Sequence, residues 1–100
     1  AHAIRRGDVE RGLFFCGSGI GPAIAANKID GVRATVVTEA WSARDAVTHV
    51  DVNLLTLGQR VIGIEVAKAI VEAFLGANPE GGRHARRRDQ IAALEKEVVR

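Results

Sequence analysis

The chain has 100 residues, with 14 Lys or Arg against 12 Asp or Glu and a formal net charge of +2. That length allows one small domain around one core, and so even a charge balance excludes a surface that is basic all round. Hydrophobic residues are 47% of the chain and aromatics only 4%, so Ala, Val, Ile and Leu must fill the interior, which suits strands alternating with helices. A single cysteine excludes an internal disulfide and fits a reducing compartment. No apolar stretch approaches the ~20 residues of a membrane span, and no signal peptide is visible, so a soluble cytoplasmic protein is expected.

Residues 1–6 read as the tail of a helix stopped at Gly7, so the chain is expected to begin in mid-architecture. The apolar run 13–15 predicts a first strand. Gly17, Gly19 and Gly21 then predict a tight turn into an alanine-rich helix, with Pro22 at the first helical position, where its fixed φ is already helical. Residues 27–31 close that helix, and the β-branched stretch 32–37 predicts a second strand. Ser42 followed by Asp45 resembles a capping box opening a short helix that runs toward His49. A third strand is expected over 53–57, stopped by Gly58. Between 64 and 75, Val66, Ala67, Ile70, Val71 and Phe74 recur at helical spacing with Glu65, Lys68 and Glu72 on the other face, and Gly76 and Pro79 end the helix. The last helix, beginning with the charged run 83–88, carries a thin apolar stripe of Ile91, Leu94 and Val98. So narrow a stripe suits burial against a partner subunit better than burial against its own core.

Strands alternating with helices imply parallel pairing and right-handed crossovers, hence an α/β fold: a three-layer, Rossmann-like parallel sheet with helices on both faces. Ligands of such sheets gather at the carboxyl ends of the strands. Cys16 ends the first strand, residues 38–42 follow the second and residues 58–60 the third, so these positions can converge on one pocket.

Cys16 is followed directly by Gly17-Ser18-Gly19-Ile20-Gly21. Amides before a helix point outward and favour negative charge, so this loop can cradle a phosphate or a developing oxyanion and would stabilise a thiolate beside it. The same cysteine is also compatible with a small core residue. Arg83 and Arg87 are four apart, hence on one helical face, and guanidinium forks match phosphate oxygens. The cluster Arg83, Arg86, Arg87 and Arg88 reads otherwise as a solvated basic face, or as a nucleic-acid contact. It lacks the interleaved aromatics that would stack on bases. A dinucleotide site is a further alternative, since Glu39 follows the glycines at about the ribose-binding distance, but Gly-x-Gly-x-Gly is not the expected glycine spacing.

These residues together resemble a family. The run Cys16-Gly17-Ser18-Gly19-Ile20-Gly21 with Ala25-Ala26-Asn27-Lys28, then Ser42-Ala43-Arg44, His49, Leu57-Gly58-Gln59-Arg60-Val61-Ile62-Gly63 and Glu80-Gly81-Gly82-Arg83-His84 with Arg87 is similar to the type B ribose-5-phosphate isomerases and the galactose-6-phosphate isomerase subunits. The similarity spans Gly12 to about Leu94. Family members open with a further strand and helix bearing an Asp-His pair. The resemblance therefore implies a single sugar-phosphate isomerase domain over 1–100 that is the C-terminal two-thirds of a longer one, with 83–100 a helix packing on a partner subunit.

What the resemblance implies for chemistry is aldose–ketose isomerisation through an enediolate, most directly ribose 5-phosphate to ribulose 5-phosphate. Cys16 would be the base, and the amides of Gly17, Ser18, Gly19, Ile20 and Gly21 would hold the enediolate oxygen. The Ser18 hydroxyl would pass a proton between the two sugar oxygens. His49 would open the ring, Arg83 and Arg87 would clamp the phosphate, and Arg60 would reach across a subunit interface. A homodimer or dimer of dimers is implied, with a phosphorylated sugar as ligand and with no cofactor, metal, nucleic acid or membrane. Val50 stands where the family usually has an asparagine and cannot donate its hydrogen bond. Another sugar phosphate, a tetrose or hexose, and a non-catalytic sugar-phosphate-binding relative thus remain alternatives.

Overall fold

A computed structural model describes residues 1–97, and Val98 of the expected apolar stripe lies outside the described residues. The elements run α1 (His2–Arg6), β1 (Gly12–Cys16), α2 (Ile20–Ala26), β2 (Ala34–Val36), α3 (Ala40–Val50), β3 (Leu54–Gly58), α4 (Ile64–Gly76) and α5 (Arg83–Glu97). The three strands are parallel in the order β1-β3-β2, so β3 is central and β1 and β2 are edges.

Alternation along β3 assigns the two faces of the sheet. Leu55 and Leu57 join Val47, Ile70 and Phe74 in one core with α3 and α4. Leu54 points the other way, into a cluster with Ala26 and Val32 against which Ile4 of α1 packs. Helices thus cover both faces, as the alternating pattern implies. Burying Phe74 or Leu55 completely stabilises the fold by about 2–3 kcal/mol each. Arg11 ties the start of β1 to the end of α4. Its guanidinium donates to the carbonyls of Phe74 at 2.6 Å and Ala77 at 2.7 Å, oxygens that a helix terminus leaves without intrahelical donors.

Two local expectations are corrected. Pro22 is the third residue of α2, not the first, because Gly19, at φ 82°, forms the N-cap. The third position also lacks an intrahelical N–H partner, so proline is tolerated there. The N-cap of α3 is Glu39 and not Ser42: the Glu39 carboxylate accepts the Ser42 N–H at 2.8 Å and the Ser42 hydroxyl as well. Two donations stabilise the ionised carboxylate and hold its pKa below the usual carboxylate range, the Ser42 hydroxyl contributing most. Glu39 is thereby committed to capping, and the dinucleotide alternative loses its ribose ligand.

Candidate functional site

The loop after β1 is shaped by what two glycines lack. Its backbone lies directly on the end of β3, with the Cys16 and Gly17 carbonyls accepting from the N–H groups of Gln59 and Arg60. A Cβ on Gly58 would stand 2.6 Å from the Ser18 oxygen, and one on Gly19 would stand 2.8 Å from Val36 and 3.2 Å from the Leu57 backbone. Thr56, fully buried, donates its hydroxyl to the Gly19 carbonyl at 2.6 Å and locks the loop from beneath.

The half-buried Cys16 sulfur accepts the Gly19 N–H at 3.0 Å, and the Ile20 N–H meets the Ser18 hydroxyl at 3.3 Å. The sulfur therefore faces the loop amides and is not sealed in the core. Arg60 lies beside the same loop, its side chain 3.6 Å from where a Cβ on Gly17 would be. Chain order makes this a ligand crevice by topology. The helix after β1 covers one face and the helix after its neighbour β3 covers the other, which opens a cleft between the two strand ends.

His49, Arg83 and Arg87 lie elsewhere. The eleven-residue α3 leaves the finishing end of β2 and runs back roughly 16 Å to the starting end of the sheet. There Asn53, just before β3, accepts from the N–H of Gly12, the first residue of β1. His49, in the last turn of α3, is thus at the opposite end from Cys16. The Glu80 N–H donates to the Thr48 carbonyl at 2.8 Å, and Arg88 donates to the His49 carbonyl at 3.3 Å. Those contacts bring the start of α5, with Arg83, His84 and Arg87, to the same place.

At this second locus the His49 and His84 rings stack, 4.0 Å between centroids and 8° from parallel. His49 Nδ1 is 2.7 Å from Asp45 Oδ1, which places a proton on Nδ1, and its Nε2 lies 3.9 Å from Glu80 Oε1. Partial burial first, then positive charge at His49, Arg83 and Arg87, holds the His84 imidazole below the usual histidine pKa, while Glu80 pulls the other way. Asp45 is expected from sequence only as part of a capping box, and Glu80 and His84 only as members of a motif without a role of their own. The i,i+4 spacing of Asp45 and His49 is the sequence signal that marks their pairing.

Within one chain the fold therefore brings Cys16, Ser18, Gly17, Gly19, Ile20, Gly21 and Arg60 together, and separately His49, Arg83 and Arg87. The two groups do not meet.

A family model described as Ribose/Galactose Isomerase matches residues 1–91. The chain is similar to ribose-5-phosphate isomerase B of Escherichia coli (49% identical over 96 residues, covering 96% of this chain and 64% of that protein). It also resembles D-erythrulose-4-phosphate isomerase of Pectobacterium atrosepticum (43% identical, covering 95% and 62%). Among solved structures, ribose-5-phosphate isomerase B of Clostridium thermocellum superposes with a TM-score of 0.93 at 45% identity, covering 96% of this chain and 65% of that one. The chain thus spans a little under two thirds of the length of these relatives.

Proposed function

Since the chain belongs to the ribose/galactose isomerase family, we propose that it forms the larger part of an aldose–ketose isomerase for a phosphorylated sugar, ribose 5-phosphate first. The observation that carries this reading is the Gly19 N–H directed at the Cys16 sulfur in the β1/β3 crevice. A thiolate there takes the proton from the carbon next to the carbonyl, and the electron pair moves onto the carbonyl oxygen. The loop amides hold the resulting enediolate, an arrangement worth about 3 kcal/mol per well-placed donor. Ser18 moves a proton between the two oxygens, and the thiol returns its own to the neighbouring carbon, so aldose becomes ketose with nothing gained or lost. His49, its tautomer set by Asp45, exchanges the proton that opens the ring, and Arg83 and Arg87 anchor the phosphate. No cofactor enters this scheme.

Because Cys16 and His49 stand at opposite ends of one sheet, one chain cannot close around one sugar. The reading therefore requires a homodimer in which the Cys16 loop of one copy faces the His49, Arg83 and Arg87 group of the other, with Arg60 near the junction. Ile91 and Leu94, 44% and 57% exposed, support packing of α5 on a partner. The open edge of β1 and its exposed Phe14 and Phe15 support the reading of residues 1–100 as the larger piece of a longer isomerase domain.

Incubation with ribose 5-phosphate in deuterated water tests the chemistry. One deuterium should enter at the carbon next to the carbonyl, and Cys16→Ala should abolish the exchange. Binding of sugar phosphates without exchange for any aldose phosphate would leave a non-catalytic relative. Mixing Cys16→Ala with His49→Ala chains should restore activity that neither variant has alone. A second substrate is favoured by Val50, whose side chain packs against the α3/α4 core and offers no donor. If kcat/KM for a tetrose phosphate exceeds that for ribose 5-phosphate, the shorter sugar is the substrate.

A further inference from the structure

Among the described residues, His49, Glu80 and His84 bring one ligating atom each to within 4.8 Å of one another. Two imidazoles and a carboxylate are the donor set of an open zinc site, with a fourth position left to water. Two further observations point the same way. Asp45 already makes the outer hydrogen bond to His49 Nδ1 that metal-bound histidines commonly have, leaving Nε2 directed toward Glu80. Glu80 precedes Gly81 and Gly82 at the exposed entry to α5, so its side chain can swing at little cost. Adjustment is needed, since ligands of a tetrahedral zinc are about 3.3 Å apart at bonds of about 2.0 Å, and the lone pairs of parallel rings do not converge. His49 is held by Asp45, so closure falls to a turn of the His84 ring and a swing of Glu80.

We infer that His49, Glu80 and His84 form a binding site for one divalent ion of the zinc class, and that this ion and the sugar phosphate exclude each other. The exclusion rests on the proposed role of His49 and the neighbouring arginines; binding of the ion does not. Arg83 and Arg87 lie close to His84 and repel a cation, which weakens binding of the ion.

Calorimetric titration of the purified protein with zinc chloride, in buffer free of chelator and phosphate, tests the site. One ion per chain should bind. His84→Ala and Glu80→Gln should each weaken binding tenfold or more, Asp45→Asn by about tenfold, and Cys16→Ser not at all. Circular dichroism melts of the same variants separate lost ligands from lost folding. Unchanged affinity in His84→Ala and Glu80→Gln, loss in Cys16→Ser alone, or no saturable binding below about 1 mM overturns the site. Ribose 5-phosphate should raise the apparent zinc dissociation constant. If the protein turns over that sugar while zinc affinity is unmoved by it, the exclusion is overturned; absence of turnover with intact zinc binding counts against the isomerase reading alone.

Discussion

The Cys16 loop and the His49 cluster are built in different materials. The first consists of main-chain amides held by main-chain contacts, and its shape depends on atoms that must be missing at Gly19 and Gly58. The second consists of side chains gathered from the last turn of α3, the segment before α5 and its first turns, half-exposed and joined through their own hydrogen bonds and stacking. A backbone-built pocket holds its donors at fixed positions and tolerates little change. A side-chain cluster at helix ends can shift, and can serve more than one ligand.

Substitutions sharpen this contrast, beginning with the largest effect. In the proposed isomerase Cys16→Ala should lower turnover by about 10³-fold or more while moving the melting temperature by only a few degrees; steady-state kinetics with parallel melts measures both. Gly58→Ala should be the most damaging to the fold, because its Cβ would collide with the Ser18 backbone and the loop must move. A loss of about 3 kcal/mol is expected, roughly ten degrees or more in Tm. Gly21→Ala, with nothing within 4 Å of its Cβ, should leave Tm unchanged or slightly raised. Equal melts for the two alanine variants would break the contrast.

At the other locus Arg83→Ala should raise KM by about tenfold at low ionic strength with kcat within a few-fold, and its Tm should match the unsubstituted protein, since this is a surface group. An unchanged KM would return the arginines to a solvated basic face. The smallest effect concerns the Glu39 cap. Its carboxyl pKa is lower in the folded chain than in the unfolded one, so its stabilisation is present at neutral pH and is lost as pH falls through the folded value. Glu39→Ala should therefore melt a few degrees lower at pH 7, and the difference should vanish in acid. Glu39→Gln, which removes the charge but not the shape, should lie between the two.

What is legible in the sequence follows the range of the forces involved. The α1 end at Gly7, the amphipathic α4, the parallel alternation and the adjacency of Cys16 to the glycine loop all depend on neighbours a few residues apart, and periodicity and backbone freedom made them legible. The second strand, Ala34–Val36, is shorter than its β-branched run 32–37 because the Arg33 N–H donates to the Asn53 side chain, outside the ladder to β3. The cap of α3 falls on Glu39 and not on Ser42, the residue type that usually caps, because the longer carboxylate of Glu39 reaches the Ser42 N–H.

Composition and local pattern by themselves determined an α/β chain with a thiol at a strand tip and arginines on one helical face, because these properties are carried by residues close in sequence. Only the tertiary structure decided that β3 lies between β1 and β2, that α3 carries His49 to the far end of the sheet from Cys16, and that His84 comes to stack upon it. Those outcomes depend on crossover direction and long-range packing, in which the energy of a contact does not depend on how far apart its partners are in the chain.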